Sequence, residues 1–372
     1  MLRKFSISNY KNFEDEVTLD FTNVHDYKFN SKCIDNGLLS KSLLVGKNAS
    51  GKTNLAYALF DIVYTLTDNV FDPMQRDIGS FINGVGKSKE AKFRYEFQDG
   101  DSVYSYKYNK ISPEIMTYES LVVNGKVIFE FDYERNLKET SGLKSINAEK
   151  LNIISRLDGT KSALRVIANN TIQNQKSPVS FIMDFVTRML YYRSCQDGNK
   201  FIGFMMTVSD IQQFIIKNGL EKDFERFINE MTGMNMKIKA FRSPVSQNLV
   251  QVFPNKELYF QPIASSGTKA LELYYFWSKS FSKVSFLYID EFDAYYHFEL
   301  AAKILQKTID SVTAQTVFTS HNTMLVSNEY MRPDCCLKID NGKIASFADS
   351  TTRELREGHN IEKMLRNGAF DE

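Results

Sequence analysis

Three groups of residues have types and spacings suited to phosphate chemistry. The octet Gly46-Lys-Asn-Ala-Ser-Gly51-Lys52-Thr53 satisfies the pattern G-x-x-x-x-G-K-[ST] at every constrained position. Gly46 and Gly51 permit a loop whose bare N–H groups, with those of Asn48, Ala49 and Ser50, gather around phosphate oxygens. Lys52 places a point charge near the β- and γ-phosphates of a nucleotide, and the Thr53 hydroxyl can coordinate Mg²⁺. Far downstream, Asp290 and Glu291 close an apolar run that begins at Val284. With that end beside the loop, Asp290 would hold the hydration shell of Mg²⁺ and Glu291 would polarise a water aimed at the γ-phosphate. His321, directly after the strand-like run 315–320, can hydrogen-bond the γ-phosphate or orient the attacking water.

Taken singly, an acidic strand end and a histidine at a strand terminus are ordinary structural features. Their weight comes from Lys52-Thr53, which independently requires a carboxylate for Mg²⁺. Ser265 and Gly267 lie just ahead of an apolar helical pattern at 270–281. They can leave helix N-terminal N–H groups open to an anion, although a plain serine-glycine cap has the same sequence.

These residues need elements to position them. Residues 42–45 read as a short buried strand, and Leu55, Ala58, Leu59, Ile62 and Leu66 form one stripe of a helix over 53–66. Upstream, Phe5 and Ile7 alternate with polar residues, as do Val17, Leu19 and Phe21, which predicts an antiparallel hairpin. After a loop marked by Asp72-Pro73 and Gly79, runs at 91–97, 103–108, 115–123 and 126–133 predict a meander, with turns at Asp99-Gly100 and Asn124-Gly125. Helical patterns follow at 181–192, 207–217 and 220–230, none sustained as a heptad repeat. Short strands broken at Pro244 and Pro254 occupy 237–259, a helix over 300–309 separates the Asp290 strand from the His321 strand, and 336–347 forms a last hairpin turning at Asn341-Gly342. The expected architecture is α/β, with an antiparallel sheet layered beside a parallel one.

Composition narrows the class without choosing a partner. With 46 basic and 45 acidic residues, the net charge of +1 argues neither for nor against nucleic acid. Cys33, Cys195, Cys335 and Cys336 form no C-x-x-C pair and no zinc spacing, so free thiols in a reducing compartment are expected. Polar residues interrupt the opening segment and no apolar run approaches a membrane span, which places the expected location in the cytoplasm.

In combination these motifs resemble the ABC-type ATPases that include SMC and RecF proteins and the overcoming-lysogenization-defect nucleases. They are closer still to the AAA-labelled ATPases of prokaryotic anti-phage operons. The opening Phe5-Ser-Ile-Ser-Asn-Tyr-Lys-Asn-Phe13 is similar to that family's hairpin, Ser265 and Gly267 to its signature segment, Asp290 and Glu291 to its Walker B pair, Asp293 to its dimer-facing acid and His321 to its switch histidine. The resemblance covers the start and the last third of the chain. It implies a P-loop NTPase fold of ABC-ATPase type with a mixed central sheet, an antiparallel β layer and a helical insertion. The corresponding division is 1–133 and 246–372 for the two parts of the ATPase and 134–245 for the mainly helical insertion.

The resemblance also implies Mg²⁺-dependent ATP hydrolysis in composite sites of a homodimer or larger homo-oligomer, with Ser265 and Gly267 of one subunit closing over nucleotide held by Lys52 and Thr53 of another. The family's Mg²⁺-sensing glutamine has no clear counterpart among Gln98, Gln173 and Gln175. Relatives with a fused nuclease continue beyond this point, so a separate nuclease or toxin is the expected effector, in anti-phage defence. A RecF-like DNA-binding role is the alternative, with Lys89, Lys92, Lys107, Lys110, Lys237 and Lys239 as its scattered candidates. A transporter motor is disfavoured because it needs a membrane partner and a clear glutamine loop.

Overall fold

The computed structural model describes residues 1–68, 80–152, 157–194, 199–204, 210–243 and 246–370. Asp72-Pro73, Gly79, Cys195, Pro244 and the first residues of the 207–217 pattern lie outside the described residues.

Strand Lys41–Val45 is buried along its whole length and pairs in parallel with Gln315–Ser320 on one side and Cys336–Asp340 on the other. Gln315–Ser320 pairs in parallel with Phe286–Asp290, which in turn pairs in parallel with Met189–Arg193. Antiparallel strands Phe201–Gly203 and Lys343–Ser346 form the two edges of this seven-stranded sheet. Strands covered on both faces bury every side chain, which is why these sequences read as continuous apolar runs.

That same continuity misleads at one point. The helical pattern expected over 181–192 divides into helix Pro178–Thr187 and strand Met189–Arg193. Ser177 caps the helix, Pro178 stands at its start, and Met189 to Tyr192 are buried on both sides of the sheet. Burial on both faces removes the period-two signature, so apolar spacing alone fits helix or strand. Residues 134–245 therefore supply two strands of the central sheet as well as helices Ala163–Asn170, Pro178–Thr187, Ile211–Lys217 and Glu221–Thr232.

A second seven-stranded sheet is antiparallel throughout and joins the opening hairpin to the meander: Leu2–Ser8 pairs with both Val17–Asp20 and Ala91–Asp99. Asn124-Gly125 and Asn341-Gly342 have positive φ at both residues, 48° and 78° and then 47° and 73°. This is the tight two-residue turn whose twist suits a hairpin.

Helix Lys52–Leu66 lies between the two sheets. Tyr95 of the antiparallel sheet donates its hydroxyl to the carbonyls of Ala58 and Leu59, while the Phe60 ring meets Tyr191, Phe286 and Tyr288 of the central sheet. Burial on almost all sides explains why Asp61 needs internal partners. Lys110 Nζ lies 2.6 Å from Asp61 Oδ1, and the Tyr108 hydroxyl donates to the same oxygen at 2.8 Å. Strand alternation sets Lys110 on the inner face after Tyr104, Tyr106 and Tyr108, so it belongs to the core and not to a surface that could meet DNA. Of the other candidate lysines, Lys239 is paired with Glu257.

Glu119 makes a comparable internal anchor. Its fully buried carboxylate accepts hydrogen bonds from Tyr106, Tyr133, Ser162 and the N–H groups of Ala163 and Leu164, closing the N-terminus of helix Ala163–Asn170.

Removing one partner of a buried ion pair leaves an uncompensated charge, whereas removing both can be nearly neutral. Lys110→Met is therefore expected to lower unfolding free energy by roughly 3–5 kcal/mol, and Lys110→Met with Asp61→Asn by clearly less. Denaturant midpoints of the three proteins check this; equal loss in the single and double variants would contradict it.

Candidate nucleotide-binding site

Parallel register brings the chemistry to one edge. Val45 stands opposite Ser320, and Arg193 opposite Asp290. The residues that follow these strand ends, Gly46, Glu291 and His321, thus emerge together. In open α/β sheets ligands bind in the crevice beyond the carboxyl ends of the strands. Here a cleft of about 600 Å³ is lined by the loop from Asn48 to Asn54 together with Asn12, Arg193, Glu291 and His321.

The loop has little room for side chains. A Cβ at Gly46 would come within 2.7 Å of Ile339 Cγ2 and 2.8 Å of the Ile339 carbonyl oxygen. Gly51 has φ +100°, and a Cβ there would lie 2.5 Å from Asn12 Nδ2 and 2.7 Å from Phe13 Cζ. The left-handed φ and the close approach of the hairpin turn therefore both require glycine at 51. Ser50 Oγ is buried without a hydrogen-bond partner, so the loop holds a polar group free to meet an anion's oxygens. Lys52 turns back over the loop, donating to the Gly46 carbonyl at 2.8 Å and the Lys47 carbonyl at 3.1 Å. Burial lowers its ammonium pKa, against the opposing pull of the Asp290, Glu291 and Asp293 carboxylates.

Asp290 is fully buried and its two oxygens are divided between three hydroxyls. Thr319 donates to Oδ1 at 2.6 Å, and Thr53 and Tyr191 donate to Oδ2 at 2.8 and 3.2 Å. Three hydroxyl donors converging on its two oxygens fix the direction in which the carboxylate points. Thr319 Oγ1 also accepts from the Glu291 N–H at 2.8 Å, pinning a residue whose φ of +49° is left-handed. Glu291 Oε2 accepts from Arg193, 2.7 Å from Nη2 and 3.2 Å from Nε. Burial would lower the Arg193 pKa, but the hydrogen bond and charge of Glu291 raise it above its ordinary value. His321 Nδ1 sits 3.2 Å from Lys52 Nζ and 3.0 Å from the Gly46 carbonyl oxygen, while Nε2 is 3.8 Å from Glu291 Oε1. Asp293 accepts from Ser320 at 2.8 Å, and burial raises its carboxyl pKa.

Lys52, Thr53, Asp290, Glu291 and His321 are thus brought together. Ser265 and Gly267 are not: they stand at the start of helix Ser266–Ser278, outside the lining of this cleft. Ser265 caps that helix by accepting from the Thr268 N–H, and a Cβ at Gly267 would lie 2.8 Å from the Tyr295 carbonyl oxygen. Gln98 binds Arg3 and Gln173 binds the Ile146 carbonyl, both away from the cleft. Arg193, Tyr191 and Thr319 escape sequence reasoning. Recognising Met189–Arg193 as a strand next to Phe286–Asp290 is the signal that finds the first two; a hydroxyl one residue short of a strand end gives the third.

Among the described residues no group of three His, Cys, Asp or Glu forms a cation cage. The Thr53 hydroxyl and Asp290 carboxylate still fit Mg²⁺, which keeps several waters and is commonly shared between one or two protein oxygens and substrate phosphates.

Fold and site together define a P-loop NTPase of ABC-ATPase type. The chain belongs to the family described as AAA domain, putative AbiEii toxin, Type IV TA system, whose sequence model matches residues 42–327. It is accordingly an ATP-binding and ATP-hydrolysing protein of AAA type. Similar solved structures include an SMC head bound to the C-terminal winged-helix domain of ScpA, 12% identical over 93% of this chain and 97% of that one, with TM-score 0.46. The SMC head domain of Thermotoga maritima is 13% identical over 92% and 97%, with TM-score 0.42. A Pyrococcus furiosus Smc head with an extended coiled coil, bound to the C-terminal domain of ScpA, is 12% identical over 98% of each chain, with TM-score 0.45. A comparison with curated proteins returned no match. Among the described residues no helix is long and apolar enough to cross a membrane.

Helix Ser266–Ser278 carries a titratable group in its packed face. Burial pushes the Glu272 carboxyl up to about 8, outweighing the hydrogen bond from Gln261 that favours its charge. Between its ordinary value of 4.5 and about 8, the folded chain retains a proton that the unfolded chain releases, so stability falls as pH rises through this window. Relative to Glu272→Gln, the native sequence should lose roughly 1 kcal/mol per pH unit there. Urea midpoints at pH 5.5 and 7.5 measure the difference, and parallel pH profiles would refute it.

Proposed function

We propose that this protein is an Mg²⁺-dependent ATP switch that assembles with a second copy of itself and controls a separate nuclease or toxin effector in anti-phage defence. The observation that carries the reading is the convergence of Lys52, Thr53, Asp290, Glu291 and His321 at one sheet edge while Ser265 and Gly267 lie outside the cleft. The N–H groups from Gly46 to Thr53 cradle the phosphates, with Asn48, Ala49 and Ser50 forming the crown of the loop. Lys52 exchanges its carbonyl partners for phosphate oxygens. Thr53 and Asp290 hold Mg²⁺, which supplies charge neutralisation on the phosphates when bound. Glu291 polarises the attacking water, and His321, reaching both Lys52 and Glu291, contacts the terminal phosphate.

A helix start that lies outside the lining of its own cleft is suited to the nucleotide of another subunit, so ATP favours a closed pair and hydrolysis opens it. The family description, with its toxin and toxin–antitoxin terms, supports a toxin-type effector. The DNA-binding alternative loses ground because Lys110 is internal and Lys239 is paired.

Lys52→Ala and Glu291→Gln are each expected to reduce ATP turnover roughly 100-fold or more. Glu291→Gln should in addition accumulate an ATP-bound assembly visible as a faster sedimenting species. Undiminished turnover removes the water-polarising role of Glu291, and an ATP-independent sedimentation profile removes the composite site.

A further inference from the structure

Arg193 is the cation of the cleft that the proposed function leaves unused. It stands at the end of strand Met189–Arg193, in register with Asp290, and its side chain is 26% exposed. Both of its contacting nitrogens, Nε and Nη2, fall on a single oxygen of Glu291. Asp290 Oδ2 lies 3.9 Å from Nε, at the margin of an ion pair, and is already served by Thr53 and Tyr191. The guanidinium is therefore committed to the carboxylate that has to act on water.

The two N–H donors occupy the lone pairs of Oε2 and hold the carboxylate turned toward Arg193, so that this oxygen is withheld from water while the pair lasts. The pairing is also exchangeable. Arg193 and Glu291 are partly exposed and line the same cleft as Lys52 and His321, so an incoming anion can reach both without unfolding anything. A terminal phosphate carries more charge than a carboxylate and offers three oxygens to a planar fork, and it repels Glu291 by like charge. A diphosphate engages the loop N–H groups and Lys52 but brings no third phosphate toward Glu291.

Resting on the ATP-switch reading above, we infer that Arg193 recognises the terminal phosphate of ATP by exchanging the Glu291 carboxylate for it, which frees Oε2 of Glu291 to polarise water when a triphosphate is in place. Arg193 thus discriminates ATP from ADP and couples that discrimination to the release of Glu291. A guanidinium that merely ties two strands together would not do this: its loss would weaken both nucleotides alike.

Binding without turnover separates the two. The full chain is titrated with fluorescent ADP and with a fluorescent non-hydrolysable ATP analogue, in the native sequence, Arg193→Ala, Arg193→Lys, Glu291→Gln and the Arg193→Ala/Glu291→Gln double variant. Arg193→Ala should weaken the analogue about tenfold and ADP less than about twofold, and Arg193→Lys, which keeps charge without the fork, should recover part of the loss. Because Glu291 competes with phosphate for Arg193, Glu291→Gln should tighten the analogue several-fold, and the double variant should lose that gain.

Equal weakening of both nucleotides, or a Glu291→Gln gain that persists without Arg193, overturns the inference while leaving the ATP switch intact. Failure of the native protein to bind either nucleotide overturns both. Melting midpoints verify folding of each variant, and Arg193→Gln, closer in shape, replaces the alanine if that variant does not fold.

Discussion

The site depends on strand register. Met189–Arg193, Phe286–Asp290, Gln315–Ser320 and Lys41–Val45 run in parallel, so their carboxyl ends share one edge and each hands its next residue to the same crevice. A slip of one residue would turn Asp290 from its three hydroxyl partners to the opposite face. The apolar runs that make these strands burial-competent on both sides therefore also set the chemistry.

Polar groups beneath that edge are held by matching partners in place of water. Asp290 is surrounded by Thr53, Thr319 and Tyr191, and Thr319 links it to the backbone of Glu291 through one hydroxyl that donates to one residue and accepts from the next. Behind the loop, helix Lys52–Leu66 is squeezed between two sheets, and the pair Asp61–Lys110 satisfies a charge on the side facing the antiparallel layer. Rigid support from both sheets gives the loop a fixed base, while the side chains over it, Lys52, Arg193 and His321, have partners that a phosphate can replace.

Features with a local cause were legible in the chain. The glycines of the loop answer to a close backbone approach and a left-handed φ, Asn124-Gly125 and Asn341-Gly342 to paired positive φ, and the first two strands of the meander, Ala91–Asp99 and Ser102–Ser112, to alternation. Strand Met189–Arg193 was not legible as such, because a stretch buried on both faces carries no period and follows a true helix after a single residue. Lys110 shows the reverse case. Its place in the alternation Tyr104, Tyr106, Tyr108 assigns it to the inner face, yet a lysine in a sheet suggests solvent until Asp61 is found opposite it.

The sequence by itself determined the phosphate loop, the acidic pair and the histidine as candidates for ATP chemistry, since the loop's eight residues constrain one another over a few ångströms of backbone. It also determined that an antiparallel layer accompanies a parallel one. Only the tertiary structure decided that Arg193 closes on Glu291, 98 residues away, that Thr53 meets Asp290 across 237, and that Ser265 and Gly267 stand outside the cleft. The reason is physical: which strand lies beside which is settled by burying whole faces against a shared helix, and no spacing along the chain records that choice.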